Sequence, residues 1–246
     1  MKKYLNRKTL MSFLVLALLV PVAFVLTACG GGNSGRLATD EERETLTEFT
    51  EMLTGEGVGL DHSNNFRLET RATGGGMTNT LILQRAGDIM FESFTHSWRS
   101  FTEREETFAV IDGNDVTYHS RWRDGRDPWS SWSSWTDYNG ADYVWLLESK
   151  EAFLVIVDAL TSGEEGPVPM PDGTTAVVRL TSMNSTATSL TLHVRLTDLD
   201  WYEYDVAMPD GVQSFEYDDE YPLPTSINLR FTLTLGGQTL TLPQGL

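Results

Sequence analysis

The sequence is short of cysteine, lysine and histidine. Cys29 is the single cysteine in 246 residues. One thiol cannot close a disulfide within the chain, and it excludes C-x-x-C redox chemistry and Cys/His zinc sites as well. The four histidines are His62, His96, His119 and His193. No two stand four residues apart, and none belongs to an H-E-x-x-H pattern. His96, His119 and His193 have polar neighbours in strand-like runs and read as exposed strand residues. There is no G-x-S-x-G, and Gly74-Gly75-Gly76 opens no helix that could cradle a phosphate. Carboxylates are plentiful, but nothing selects an acid and a base among 35 of them. The expectation is a non-enzyme with no cofactor and no metal.

Basic residues are scarce beyond the N-terminus. Of 18 Lys and Arg, four (Lys2, Lys3, Arg7 and Lys8) fall in the first 28 positions. The other 14, thirteen Arg and Lys150, face 35 Asp and Glu, a balance of −21 against −17 for the whole chain. Such a body has no basic face for nucleic acid and is repelled by anionic lipid. With 40% hydrophobic and 11% aromatic residues it is nonetheless globular in composition.

The N-terminal segment has a signal-peptide layout: a basic start, an apolar run from Leu10 to Leu26, then small residues. Leu26-Thr27-Ala28-Cys29 resembles the bacterial lipobox. That resemblance implies a diacylglyceryl group on the Cys29 thiol and cleavage just before it. The expected organisation is a signal peptide at 1–28, a lipidated Cys and flexible tether at 29–38, and one domain at 39–246. Roughly ten Gly/Asn/Ser-rich residues give an r.m.s. reach of about 17 Å. The expected location is the extracytoplasmic side of a membrane, held by the lipid on Cys29. Gly30 follows Cys29 where inner-membrane retention would call for Asp, so a Gram-negative source implies the outer membrane.

Along the body, Thr39 and Glu42 make a capping box before Leu46, Phe49 and Leu53, one apolar helix stripe ended by Gly55 and Gly57. From Phe66 the period falls to two. Strands are expected at Phe66–Arg71, Thr80–Arg85, Ile89–Phe101, Thr107–Ile111 and Val116–Trp122. Asp112-Gly113-Asn114-Asp115 between the last two is a hairpin signal. Arg123 to Tyr138 reads as a loop. Tyr143, Leu146, Leu147, Phe153, Leu154, Val157 and Leu160 then trace a helix face broken at Lys150. Val144, Trp145, Val155 and Ile156 add apolar surface off that face, so this helix should be buried on more than one side. After a loop from Gly163 to Gly173, strands are expected at Thr174–Leu180, Leu190–Leu196, Trp201–Val206 and Ile227–Leu235. Gly236-Gly237 and the pair Leu240/Leu242 suggest a closing hairpin.

Segregated helices and strands predict an α+β fold. The expected form is a curved antiparallel sheet, an open half-barrel of about 8–10 strands. An N-terminal and a central helix would pack on its concave face.

Two clusters, Asp112 to Asp115 and Glu216, Asp218, Asp219 and Glu220, match calcium sites in composition only; solvated turns are expected there. Trp129-Ser-Ser-Trp132-Ser-Ser-Trp135 resembles the W-x-x-W-x-x-W strand of thrombospondin type 1 repeats, in which Trp rows stack with Arg. The disulfides that frame that fold have no counterpart here. As a candidate surface contact, Trp129, Trp132 and Trp135 could meet a glycan or a protein.

The element order behind a lipobox resembles the LolA-like lipoprotein-carrier fold, the group that includes LppX- and LprG-type lipoproteins. Two segments carry the likeness. Val116–Trp122 leads into a Trp-rich loop and a helix, and Tyr221-Pro222-Leu223-Pro224 leads into the strand from Ile227. The resemblance implies an acyl chain or other apolar molecule held between sheet and helix. Leu83, Phe94, Trp98, Trp145, Phe153, Ile156, Leu192, Val194, Leu229 and Phe231 are the candidate lining. A non-enzymatic surface binding or assembly module using the Trp-rich loop is the alternative. Expected partners are the membrane and an apolar small molecule, with no nucleic acid and the protein partner unknown.

Overall fold

The computed structural model describes residues 35–56, 62–98, 101–140, 144–163, 165–170, 175–200 and 224–243. The lipobox with Cys29, the expected strand Trp201–Val206 and the acidic set around Tyr217 lie outside these residues.

Helix α1 (Asp40–Thr54) begins as the sequence predicts. The Thr39 side chain accepts from the Glu42 N–H, and the Glu42 carboxylate accepts from the Thr39 N–H at 2.8 Å. Its stripe of Leu46, Phe49 and Leu53 is buried, and Gly55 closes it in the left-handed region.

Six strands follow: β1 (Asn65–Gly74), β2 (Met77–Ala86), β3 (Ile89–Trp98), β4 (Phe101–Asp112), β5 (Asp115–Asp124) and β6 (Ser133–Asp137). The expected single strand from Ile89 to Phe101 is two, because the chain reverses after Trp98 and Phe101 pairs back with it. The β1–β2 turn needs its glycines, since Gly75 and Gly76 both take positive φ (55° and 81°).

A 3-10 turn (Trp145–Leu147) leads into α2 (Glu148–Ser162). This helix starts later than the Tyr143 expected, behind Val144 and Leu146, which are themselves buried. The two helices run antiparallel. Lys150 near the start of α2 donates to the Leu53 carbonyl near the end of α1 at 3.1 Å. Arg43 near the start of α1 lies against Gly163 at the end of α2. Lys150 interrupts the apolar stripe for this reason: its ammonium caps a helix C-terminus and lies over the Phe66 ring.

Four more strands follow among the described residues: β7 (Val168–Pro169), β8 (Thr175–Ser185), β9 (Ser189–Asp200) and β10 (Ser226–Leu235). All ten form one antiparallel sheet in the order β6-β5-β4-β3-β2-β1-β10-β9-β8-β7, open between β6 and β7. β1 joins the two halves by pairing β10 across the chain, Leu68 opposite Leu233 and Thr70 opposite Phe231.

Both edges of β10 are therefore occupied, by β1 and β9. This explains a departure from expectation at the C-terminus. Leu240 and Leu242 form no strand, because no edge is left for a hairpin to extend. The segment after Gly237 instead crosses the start of the sheet, where Asn65 binds Gln238 and Gln84 binds the Thr239 carbonyl.

The core is a single apolar cluster between the helix pair and one face of the sheet. Residues 35–38 are already fixed on the body. Arg36 makes two backbone hydrogen bonds with Leu180 on the β8 edge, both 2.9 Å, and Ala38 is buried.

Candidate binding site

The strand pairings place the candidate lining on one face. Leu83, Phe94, Leu192, Val194, Leu229 and Phe231 project toward the helices from β2, β3, β9 and β10, and Phe153 and Ile156 meet them from α2. All eight are buried in the same cluster, with Phe153 and Phe231 edge to face at 5.3 Å. Trp98 is half-buried at the end of β3. Trp145 belongs to the 3-10 turn, and its side-chain placement lies outside the described residues.

Followed from β1 toward β5, this face changes character row by row. The first row runs Leu68, Leu83, Glu92, Thr107, Ser120. The next runs Thr70, Leu81, Phe94, Glu105, Trp122. A third runs Ala72, Asn79, His96, Glu103, Asp124, and a fourth Met77, Trp98, Phe101. Apolar residues thus give way to carboxylates flanked by aromatic rings. Trp122 is 54% exposed and Phe101 44%, so the helices do not cover this end.

Among the described residues, Glu92 has the largest pKa shift. It is only 6% exposed, and its carboxylate accepts from the Ser149 hydroxyl at 3.4 Å at the first turn of α2. Burial chiefly, then the charges of Glu105 and Glu148, push it up to about 8, against the lowering effect of Ser149. At neutral pH it is mostly a neutral acid that can donate a hydrogen bond. Glu103 is also raised, by burial and by Asp124 directly opposite it. Glu105 accepts from Ser120 at 3.3 Å.

His96 departs from the exposed-strand expectation. It faces the helix side, half-buried, with Nδ1 2.6 Å from Asn79 Oδ1, and burial lowers its pKa. His119 is partly covered on the opposite face beside Ser134, and its pKa is likewise lowered by burial. His193 is exposed as expected.

Sequence reasoning missed Glu92, although a signal was present. It stands two residues from Met90 and from Phe94, in phase with both, where period-two alternation puts every side chain on the buried face.

The Trp-rich segment also differs from the expected loop, since its second half forms edge strand β6. A spacing of three within a strand sends Trp132 and Trp135 to opposite faces. Trp135 is therefore no partner of the other two in a shared surface. It stacks on buried Tyr118 at 5.1 Å and packs against the core from the helix side. Trp129 and Trp132 lie on the other side of the sheet. The Arg121 guanidinium sits 4.5 Å from each ring, and Arg123 sits 4.7 Å from Trp129. Glu106 holds Arg121 in place with bonds of 2.8 and 2.5 Å, and Phe108 meets Trp132 edge-on. Arg121 thus occupies one face of both indoles. The Asp112 to Asp115 cluster is the β4–β5 hairpin turn.

Among the described residues, no three His, Cys, Asp or Glu side chains gather where a metal ion could sit. No described helix is long and apolar enough to cross a membrane. The class this geometry defines is an open ten-stranded antiparallel sheet with two helices on one face. Comparison with family models, curated proteins and solved structures finds no match for the chain.

Proposed function

We propose that this chain is a lipid-anchored, extracytoplasmic binding protein that carries an acyl chain or another apolar ligand between its sheet and its helices. The N-terminal layout and the lipobox at Cys29 support the anchor. An open antiparallel sheet with both helices on one side supports the half-barrel arrangement that the LolA-like resemblance implies. One observation carries the reading. The apolar layer under the helices reaches Leu81 and Phe94, and beyond Glu105 and Glu103 the same face carries rings left exposed at Trp122 and Phe101. Exposed aromatic rings on the face that holds the buried layer give an apolar ligand a way in.

The test is native mass spectrometry of the full chain extracted from membranes. A co-purifying lipid or apolar molecule, and an acyl mass lost in Cys29→Ala, are expected. Protein that carries no ligand, and whose tryptophan emission ignores C12 to C18 chains, would overturn the carrier role.

A further inference from the structure

The uncovered rows of β3–β5 combine two features on one small area. Aromatic rings come from Trp98 and Phe101, opposite each other, and from Trp122. Between them lie Glu105, Glu103 and Asp124. Glu103 and Asp124 are a cross-strand pair of like charge, an arrangement that destabilises a sheet. Among the described residues, no Lys or Arg comes within ion-pair distance of either carboxylate. Of the described cations on β4 and β5, Arg121 and Arg123 stack with Trp129 on the other side, and Arg104 stands opposite Arg123 on that same side. Trp122 is held at the backbone by Ser130, through its N–H at 3.0 Å and its carbonyl at 2.9 Å, which anchors the strand position from which its exposed ring projects.

We infer that this patch is a subsite for a cationic head group, an ammonium borne by the apolar ligand. Glu103 and Asp124 would supply the counter-charge, and Trp122 and Phe101 the ring faces. The charge complementarity decides the class. A carboxylate or phosphate head would meet the like charges of Glu103 and Asp124, whereas an ammonium relieves their repulsion and gains cation–π contact. The inference rests on the carrier reading, and the experiment separates the two.

The full chain is titrated with dodecyltrimethylammonium and with dodecanoate, both below micelle formation, and with tetramethylammonium alone. Binding is followed on the Trp122 indole N–H resonance, assigned by its loss in Trp122→Ala. Dodecyltrimethylammonium is expected to bind at least tenfold tighter than dodecanoate. The double variant Glu103→Gln/Asp124→Asn should weaken it about tenfold and tighten dodecanoate, whose carboxylate no longer meets those two charges. That variant relieves a like-charge pair, so it should melt no lower than the parent. The control Glu44→Gln/Glu48→Gln removes the same charge from the exposed face of α1 and should change affinity less than twofold. Equal or tighter binding of dodecanoate, or an equal loss in the control, overturns the cationic subsite. If the two amphiphiles bind equally and the double variant changes neither, the carrier stands and the subsite falls. If tetramethylammonium alone shifts the resonance, the subsite stands and the carrier falls.

Discussion

Replacing Glu92 with Gln should make the protein more stable, and increasingly so as pH rises. The reason is the sign of its shift. Folding raises this carboxyl from an ordinary value of 4.5 to about 8, mainly through burial under α2. Below pH 4.5 both folded and unfolded states hold the proton and nothing is lost. Through the window from 4.5 to about 8 the unfolded chain ionises while the folded one resists, so stability falls. Above that window the loss is complete, at about 3 to 5 kcal/mol for a shift of this size. Gln keeps the shape and can still accept from the Ser149 hydroxyl, but it has no charge to desolvate. Urea unfolding at pH 5, 7 and 9, followed by tryptophan fluorescence, reads the difference directly. The parent should lose several kcal/mol between pH 5 and 9, and Glu92→Gln should lose much less. Removing the neighbouring charge with Glu105→Gln should lower the Glu92 pKa and recover part of the loss at pH 9. Parallel pH curves for the parent and Glu92→Gln would refute the reasoning, because they would place the titrating group elsewhere.

Other perturbations have equally definite outcomes. Glu42 shifts the opposite way, down to about 2, chiefly through its hydrogen-bonded pair with Arg36. Its contribution is present above about pH 4.5 and lost as pH falls toward 2. Glu42→Ala should cost about 1 to 2 kcal/mol at pH 7, the exposure of Arg36 keeping the ion-pair share small, and the difference should fade in unfolding measured near pH 2. Trp135→Ala should cost about 2 to 3 kcal/mol and lower Tm by several degrees, because it strips a ring from buried Tyr118. Trp129→Ala, half-exposed on the other face, should cost about 1 kcal/mol or less in the same melts.

Local signals were readable where one physical rule governed a segment. The capping box at Thr39 and Glu42, the hairpin turn at Asp112 to Asp115 and the alternation from Ile227 to Leu235 all appear in the structure where the sequence places them. Strand β6 was not readable, because a tryptophan at every third position matches neither face of a strand. The pairing of β1 with β10 was not readable either. The two strands are separated by more than half the chain, and no local pattern records which distant edge a strand will choose. That choice in turn removed the expected hairpin at Leu240 and Leu242. At the site, the sequence identified the apolar rows correctly as one face. The acidic rows were hidden because they arise only when β3, β4 and β5 align side by side. Glu103 and Asp124 are 21 positions apart and become opposites through register alone.

The bridge between Arg36 and Leu180 sets the stance of the whole body. Gly35 takes φ +63°, and a side chain there would collide with Arg179, so the incoming chain is pressed flat against the β8 edge. Six strand spacings separate β8 from β4, roughly 29 Å along the sheet. Whatever holds the residues before Gly35 therefore grips the body by one margin, as a hinge grips a door. The opposite margin, with β4 to β6, carries the exposed rings. The exposed rings therefore stand near the sheet edge farthest from the Arg36 bridge.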